Sequence, residues 1–338
     1  MIIGWISIAA FLASYALTAW LLRYSRIGRL VDRPNARSSH STPTPRGGGL
    51  SMVAVTACGV AVLYAAGMLP LPLTAPLVLG GLSVAAVGFW DDVHSAPVAV
   101  RITVHVGAAV LAVYCLGTAS VIRIGDSVAD LGTMGPVLGV LAIGWILNLF
   151  NFMDGIDGIA ASEAACVLFG AAGLGLFVAQ CSPTQVAPEL VTGAACLGFL
   201  RWNWPPAAIF MGDVGSGFLG YVIAVIAVHS SQTSAINFFA WLILGGVFFV
   251  DATLTLCRRL LRRERVHQAH RTHAYQWLAR RWGSHSRVTT AVIVVNLVWL
   301  LPCAALTVKF PGSAWWICIL ALVPLVVCAF LSGSGRPE

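Results

Sequence analysis

The chain carries little charge for its length. Of its 338 residues, 58% are hydrophobic and only 10% are charged, and the mean hydropathy is +0.86. Roughly a quarter of the residues in a typical soluble domain are charged, so this composition excludes an ordinary soluble protein and indicates a membrane protein with several spans. The apolar runs also lack the alternation of barrel strands. Because only helices and closed barrels satisfy the backbone in lipid, we predict an all-α polytopic fold.

Other features that the sequence lacks limit how the chain can be organised. No Lys or Arg precedes the first apolar run, and Arg23 follows it directly. This run is therefore predicted to be a retained helix with its N-terminus outside, and not a cleaved signal peptide. The nine cysteines have no paired spacing, which argues against a disulfide framework or a cysteine metal site. No repeat, low-complexity segment or long linker divides the sequence, so residues 1–338 are predicted to form a single domain.

Eleven apolar runs approach or reach the roughly 20 residues that a transmembrane helix needs. The third and seventh runs are short, so ten spans are an alternative. The predicted spans are 2–22, 48–68, 75–90, 101–118, 135–152, 159–179, 187–201, 214–230, 236–257, 288–308 and 313–331.

The basic residues are concentrated in two connections between spans. Fifteen of the twenty lie within residues 23–46 and 258–287. The positive-inside rule places both connections in the cytoplasm, which agrees with eleven spans, an outside N-terminus and a cytoplasmic C-terminus. Because both connections adjoin predicted spans, anionic lipid or phosphate is a nearer partner than nucleic acid, which is not expected to bind.

Two amides and two carboxylates stand together where the fifth predicted span ends. Asn148, Asn151, Asp154 and Asp157 follow directly on the apolar run 135–150 or lie at its end. If the helix continues this far, Asn148 and Asn151 share a face, and so do Asn151 and Asp154. Such side chains are costly at membrane depth, so they usually face a cavity or mark a functional site.

Other polar groups follow the remaining odd-numbered spans. After the third, seventh and ninth spans the sequence has, in order, Asp91 and Asp92, then Asp213, then His267, His270 and His273. All of these groups follow odd-numbered spans and therefore lie at the predicted cytoplasmic ends. If no common function gathered them, about half would be expected at the outer ends. One site that faces the cytoplasm and is built from several loops is the economical explanation.

The residue types in these groups suit the handling of phosphate. Carboxylates with nearby amides favour a hard cation such as Mg²⁺, which usually bridges substrate phosphates. Arginines and histidines supply positive charge for phosphate oxygens, and the glycine-rich segment 212–217 offers a helix N-terminus that favours an anion. A zinc site on the three histidines is disfavoured, because on an arginine-rich loop phosphate contacts are the simpler explanation. Together these features indicate phosphoryl transfer between a soluble nucleotide and a lipid phosphate.

Four ordered blocks of residues carry a more specific signal. They are Asp32-Arg-Pro-Asn35-Ala-Arg37-Ser-Ser-His40-Ser-Thr-Pro-Thr-Pro-Arg46-Gly-Gly, Gly88-Phe-Trp-Asp91-Asp92, Asn148-x-x-Asn151-x-x-Asp154-Gly-Ile-Asp157-Gly and Phe210-Met-Gly-Asp213-x-Gly-Ser216. In content and order they resemble the polyprenyl-phosphate N-acetylhexosamine-1-phosphate transferases, glycosyltransferase family 4. Asp251, followed by Arg258 and Arg259, resembles a further block of this family. The resemblance covers essentially the whole chain.

The resemblance implies an activity and roles for the residues. It implies an Mg²⁺-dependent transfer of a sugar-1-phosphate from a UDP-N-acetylhexosamine to undecaprenyl phosphate with release of UMP, and Mn²⁺ is an alternative metal. Asp213 and Asn151 would hold the metal, and Asp91 and Asp92 would be the catalytic pair. The protein would lie in the bilayer of a bacterial inner membrane with its site on the cytoplasmic face, and a homodimer is one option. The residues expected to bind substrates are Asn35, Arg37, His40, Arg46, Asn148, Asp154, Asp157, His270, Arg271 and His273.

One stretch departs from the family pattern. Where many bacterial members have His-x-His-His, this chain reads His270-Arg271-Thr-His273-Ala-Tyr275-Gln276. The change favours the branch that initiates O-antigen in lipopolysaccharide biosynthesis, with a 6-deoxy-N-acetylhexosamine donor, and we expect Tyr275 and Gln276 to tune the sugar. A GlcNAc-1-phosphate transferase is the alternative; the missing consecutive histidines disfavour a phospho-MurNAc-pentapeptide transferase. A membrane transporter is disfavoured because its site should lie near the bilayer midplane between repeats.

Overall fold

The structure is a computed structural model that describes residues 1–25, 31–32, 42–117, 121–124, 127–233, 236–264 and 270–336. Three predicted substrate-binding residues, Asn35, Arg37 and His40, lie outside these ranges, as does His267. Their roles stay predictions.

Helices account for most of the described chain. Two π-helical turns, Pro76–Gly80 and Asn296–Leu300, join pairs of helices into longer rods. The α-helices are α1 Ile2–Ser25, α2 Gly49–Ala65, α3 Leu71–Ala75, α4 Gly81–His94, α5 Val98–Leu116, α6 Met134–Met153, α7 Ile159–Phe177, α8 Ala187–Asn203, α9 Asp213–Gln232, α10 Phe238–Leu244, α11 Gly246–Leu261, α12 Ala274–Trp282, α13 His285–Val295, α14 Leu301–Lys309 and α15 Ala314–Leu331.

Within the described ranges, eight helical rods are long and apolar enough to cross a membrane. A ninth is added if α10 and α11, which meet at a bend of 79°, form one span. Each of the eleven predicted spans coincides with one of these rods or with α2 or α8, which have 17 residues each. The predicted all-α polytopic fold is therefore confirmed, while the number of spans and their orientation stay predictions.

The predicted start of the third span, residue 75, is wrong. The helical rod there covers Leu71–His94. Pro72 lies in the first turn of α3, where the missing N–H of proline is tolerated, and the π-helical turn that begins at Pro76 accommodates the next proline. The sequence therefore did not show that the helix begins before residue 75, because prolines usually interrupt helices.

In the described part of the chain, two short antiparallel hairpins, which the sequence did not indicate, interrupt the helical fold. One pairs β1 (Val31–Asp32) with β2 (Thr44–Pro45), and the other pairs β3 (Val121–Ile124) with β4 (Ser127–Asp130). The first hairpin matters for the site, because it brings Asp32 to the cavity that Arg46 also lines.

The helices α7 and α9 form the centre of the bundle. In each, 78% of the residues along the most apolar stretch are buried, compared with 22% in α1, α5 and α15. A helix that is apolar on all sides belongs in a protein interior, and α9 packs against α4 and α6. The first turn of α9 is thereby held in the middle of one end of the bundle, where the polar blocks meet.

Candidate active site

Backbone pairing holds the loop before α2 beside the loop before α9. Phe210 N donates to Pro45 O at 2.8 Å, and Gly48 N donates to Phe210 O at 2.9 Å. These bonds bring Arg46 next to Asp213, although 167 residues separate them in sequence. The first and fourth sequence blocks therefore fold as one unit.

Asp92 holds the N-terminus of α9. Its Oδ1 accepts a hydrogen bond from Asp213 N at 2.9 Å, and its Oδ2 accepts one from Val214 N at 3.1 Å. Such N–H groups at the start of a helix have no partner within the helix. Gly212 has φ +78°, and a Cβ there would collide with the Asp92 carboxylate. The Asp92 side chain is 0% exposed, so it positions the site from inside the fold.

Asp91, the other member of the predicted catalytic pair, has a different environment. Both residues are brought to α9 by close packing at Gly88, where a Cβ would lie 2.5 Å from Asp213 O. The Asp91 side chain is 17% exposed. The structure thus divides the pair into one accessible carboxylate, Asp91, and one buried positioning residue, Asp92.

Two arginines connect the carboxylates into one cluster. Arg46 Nη2 lies 2.8 Å from Asp92 Oδ1 and 2.9 Å from Asp213 Oδ1. Arg101 Nη1 lies 2.8 Å from Asp91 Oδ2 and 3.8 Å from Asp213 Oδ2. Each arginine side chain is 33% exposed, so both can also donate to a bound anion.

Sequence reasoning missed Arg101, although a signal was present. This arginine is the first residue of the fourth predicted span, 101–118, and lies in the first turns of α5. An arginine at the start of an apolar run is only a weak signal of a functional site, because such a side chain also reaches the membrane interface.

Among the described residues, the site holds more carboxylates than arginines paired with them. Asp154, directly after α6, lines the same cavity as Arg46 and Asp213. Burial, followed by repulsion from Asp213, raises the pKa of Asp154 to about 7 although Arg46 opposes the shift. Burial lowers the pKa of Arg46, but the carboxylates of Asp92 and Asp213 outweigh it, so that this pKa is raised. A cation bound here would stabilise the ionised carboxylates.

Two adjoining cavities open beside the cluster. The smaller has a volume of about 230 Å³, and Arg46, Asn151, Asp154 and Asp213 are among its lining residues. The larger has a volume of about 510 Å³, and its lining includes Arg271, Arg280 and Ser284. Ile156, Asp157, Gln276 and His285 line both. The larger cavity has the size of common small-molecule pockets, about 300–1,000 Å³, so the two together offer room for a ligand with several parts.

Asp157 and His285 stand between the two cavities. His285 Nδ1 lies 3.3 Å from Asp157 Oδ2, and Ala207 N donates to the same oxygen at 3.1 Å. Thr289 Oγ1 donates to Asp157 O at 3.0 Å and ties this turn to α13. His285 was missed because a single histidine at the start of a helix has no spacing that marks it.

The predicted histidine loop is only partly in the site. Arg271 lines the larger cavity, as expected of a substrate-binding residue. Among the described residues, His273 lines neither cavity, and its side chain is 4% exposed, so the structure does not support the expected direct substrate contact, which stays a prediction. His270 stacks on His273 with ring centroids 4.9 Å apart. Burial, with repulsion from His273, lowers the pKa of His270 to about 3, so without a bound anion this imidazole is neutral.

Tyr275 supports the site and does not line it. Its side chain is buried, and its hydroxyl donates to Phe152 O at 3.1 Å. The ring packs so closely on Gly155 that a Cβ there would collide with the Tyr275 oxygen. Tyr275 braces the turn that carries Asp154, and its expected influence on the choice of sugar stays a prediction. Gln276 lines both cavities, so its position is compatible with the expected role in tuning the sugar, which stays a prediction.

The two asparagines of the third block have separate positions. Asn151 lines the smaller cavity, and its Nδ2 donates a hydrogen bond to Ser216 Oγ at 3.1 Å. This bond uses the amide nitrogen and not the amide oxygen. Asn148 Nδ2 donates to Gly144 O in its own helix at 2.7 Å. Within the described ranges, Asn148 lines neither cavity, so nothing here supports its predicted contact with substrate.

The donor set fits a metal that is bound together with phosphate. In the part of the chain that the structure describes, no group of three or more His, Cys, Asp or Glu residues is arranged to hold a metal ion. Mg²⁺ usually takes only one or two carboxylates and completes its shell with water and substrate phosphates. Asp213 and Asn151 share the smaller cavity with Asp154, whose pKa is raised first by burial and then by repulsion from Asp213. These residues are compatible with the predicted ion.

Comparison with known proteins gives consistent matches. The family model Glycosyl transferase family 4 matches residues 74–231. A Bacillus subtilis protein described as a probable undecaprenyl-phosphate N-acetylglucosaminyl 1-phosphate transferase is 28% identical over 88% of this chain and 82% of its own. Decaprenyl-phosphate N-acetylglucosaminephosphotransferase of Mycolicibacterium smegmatis is 28% identical over 96% of this chain and 87% of its own. Phospho-N-acetylmuramoyl-pentapeptide-transferase of Thermosynechococcus vestitus is 31% identical over 74% of this chain and 69% of its own.

The helical bundle and the site define a membrane-bound phosphotransferase. Acidic and basic side chains from widely separated loops meet at one end of apolar helices, and the matched region contains most of the carboxylates. The chain belongs to the polyprenyl-phosphate N-acetylhexosamine-1-phosphate transferases of glycosyl transferase family 4.

Proposed function

We propose that the protein transfers an N-acetylhexosamine-1-phosphate from a UDP-sugar to undecaprenyl phosphate and releases UMP. The observation that supports this most directly is the cluster in which Arg46 and Arg101 join Asp91, Asp92 and Asp213. The cluster stands where membrane helices end, beside two cavities. A lipid phosphate can reach such a place from the bilayer while a soluble nucleotide enters from the water.

The proposed reaction is a displacement at phosphorus. An oxygen of the lipid phosphate attacks the phosphorus that carries the sugar, and the bond from this phosphorus to the bridging oxygen of UMP breaks. UMP leaves, and a lipid-linked diphosphate sugar forms. Such transfers need positioning and charge stabilisation more than covalent catalysis. Arg46 and Arg101, each partly exposed, can donate charge-assisted hydrogen bonds to the phosphate oxygens.

The carboxylates take different parts in this proposal. Asp91 is the member of the pair that can meet the lipid phosphate, since Asp92 is enclosed and holds α9. Asp154 and Asp157 line the cavities expected to take the nucleotide. Mg²⁺, with Mn²⁺ as the alternative, would be held by Asp213 with Asn151 beside it and would neutralise charge on the diphosphate.

Different observations support different donors. The names of the Bacillus and Mycolicibacterium relatives contain N-acetylglucosaminyl or N-acetylglucosamine, which favours UDP-GlcNAc. The altered loop favours a 6-deoxy-N-acetylhexosamine and a role in initiating O-antigen, because Gln276 lines both cavities where the family often has histidine. We keep the 6-deoxy sugar as the first donor and GlcNAc as the second.

A donor panel tests this proposal. The purified protein, with undecaprenyl phosphate and Mg²⁺, is given UDP-GlcNAc, a UDP-6-deoxy-N-acetylhexosamine or UDP-MurNAc-pentapeptide, and UMP is measured. We expect UMP from at least one of the first two, and Gln276→His to shift their relative kcat/KM by about tenfold, the worth of one modest pocket contact. Arg281→Gln, at an exposed position of α12, is the matched control. UMP from the pentapeptide donor alone would contradict the proposal.

The proposal also includes a cytoplasmic site in a bacterial inner membrane. Ser284 lines the larger cavity, so its accessibility reports on which side the site opens. In intact cells, Ser284→Cys should react with a membrane-permeant thiol reagent and stay unlabelled by an impermeant one. Labelling by the impermeant reagent would place the site on the outer face and contradict the positive-inside argument.

A further inference from the structure

The segment after α15 folds back onto the loop that precedes α12. Gly335 N donates to Thr272 O at 2.7 Å, and Arg258 Nη1 of α11 donates to Ser334 O at 2.6 Å. Arg262 also donates to Gly335 O. Residues 332–336, here named the clasp, therefore connect α11 to the loop that holds His270, Arg271 and His273.

Asp251 of α11 is the point where the clasp and α12 meet. Its Oδ1 accepts hydrogen bonds from Ser334 Oγ at 3.0 Å and from Ala274 N at 2.8 Å, and its Oδ2 accepts one from Tyr275 N at 3.1 Å. Thr255 Oγ1 lies 3.1 Å from Asp251 Oδ1 and 2.6 Å from Ser334 Oγ. Asp251 is 4% exposed and Ser334 is 0% exposed, so water does not replace these contacts.

Asp251 thereby caps α12 from another helix. Ala274 and Tyr275 supply the first two N–H groups of α12, which have no partner inside the helix. A carboxylate at a helix N-terminus satisfies these donors and interacts favourably with the helix dipole. Together with the capping box that His273 and Gln276 form at the same end, Asp251 therefore fixes the start of α12, and with it the positions of Arg271 before the helix and Gln276 within its first turn.

We propose that the clasp is a positioning element for the nucleotide-sugar side of the site. Through Ser334 it holds the Asp251 carboxylate toward α12, and through Gly335 it holds the backbone at Thr272, so that Arg271 and Gln276 are kept at the cavities. The inference rests on the proposed function in one respect, namely that these cavities bind the donor. The clasp itself touches neither cavity among the described residues and takes no part in the chemistry.

Three variants test the clasp. A chain that ends at Leu331 lacks the whole segment, and Ser334→Ala removes only the hydroxyl that meets Asp251. A chain that ends at Arg336 keeps every contact named above and is the matched control. If the shortest chain fails to fold, Ser334→Ala still tests the proposal, because it retains the backbone bond from Gly335 to Thr272.

The first measurement is amide hydrogen exchange, which does not depend on activity. The amides of Ala274 and Tyr275 should exchange about tenfold faster or more in the chain that ends at Leu331, since one hydrogen bond to a charged group corresponds to at least that factor. A smaller rise is expected in Ser334→Ala, and the control should match the wild type. Unchanged exchange in both variants would overturn the proposal.

The second measurement separates positioning from general packing. Ser334→Ala and the shortest chain should raise KM for the UDP-sugar by about tenfold and leave KM for undecaprenyl phosphate within about twofold, as expected for a lost contact that acts on one substrate only. Faster exchange with unchanged donor KM would overturn the positioning role. If the wild type released no UMP with any donor, the proposed function would fail, and the exchange measurement would still decide whether the clasp holds α12.

Discussion

Replacing Arg101 with glutamine removes one of the two cations that connect the carboxylates of the site. The guanidinium lies 2.8 Å from Asp91 Oδ2 and 3.8 Å from Asp213 Oδ2 and is 33% exposed. Because ion pairs with this exposure contribute little to folding, the free energy of unfolding should change by about 1 kcal/mol or less. The effect on transfer should be much larger. Loss of one donor that stabilises transition-state charge costs about 100- to 1,000-fold in kcat, or about 2.7–4 kcal/mol.

The assay is UMP release at saturating lipid, read beside a thermal unfolding curve in the same detergent. Arg101→Gln should lose about 100-fold or more in kcat/KM with a nearly unchanged unfolding temperature, and Arg101→Lys should recover part of it, since lysine keeps the charge but not the planar fork. Arg281→Gln, at an exposed position, controls for loss of a positive charge. Activity within threefold of the wild type in folded Arg101→Gln would refute the assignment of Arg101 to the reacting phosphates.

Three further predictions follow from the carboxylates. Asp92→Ala should lower the free energy of unfolding by about 1–2 kcal/mol, because it removes the cap of α9. Asp91→Asn should instead lose activity with little change in the unfolding temperature. The reverse pattern would refute the assignment of separate roles to Asp91 and Asp92. The raised pKa of Asp154 means that the native state binds its proton more tightly than the unfolded state, so this stabilisation is complete below about pH 4 and lost as pH rises through about 7. In chelator, Asp154→Asn should therefore gain more unfolding temperature over the wild type at pH 8 than at pH 5, and an equal difference at both values would count against the shift. Asp213→Asn should remove most activity and also the Mg²⁺-dependent rise in unfolding temperature at pH 8, because it deletes a charged ligand; a full Mg²⁺ response would exclude Asp213 as the ligand.

The sequence predicted the chemistry of the site better than the role of each residue. Asp213, Asn151 and Asp154 could be assigned to one place because costly polar groups in apolar surroundings need a common reason. Asp91 and Asp92 are indistinguishable in the sequence, and only the approach of α4 to α9 makes one buried and the other accessible. A role that depends on the direction of a side chain in the folded protein cannot be predicted from the spacing of residues in the sequence.

The remaining differences between expectation and structure have the same origin in tertiary contacts. His273 was expected to contact substrate as a hydrogen-bond donor on a loop near the nucleotide, and Tyr275 was expected to tune the sugar because the family often has histidine at that place. Asp251 and Phe152, from other helices, bind this segment and draw both side chains into the interior. His285 was missed for the converse reason, since its importance arises only when α13 meets Asp157. Helix positions were predicted well because apolar length is a local property.

The central claim is that a phosphorus atom moves with the sugar to the lipid. A UDP-N-acetylhexosamine labelled at the phosphorus next to the sugar is incubated with the purified protein and undecaprenyl phosphate, and the lipid and water phases are separated. We expect the label to enter the lipid, one UMP to be released for each labelled lipid, and Asp213→Asn to remove most of both. Release of UDP, with the label left in water and only the sugar in the lipid, would contradict it.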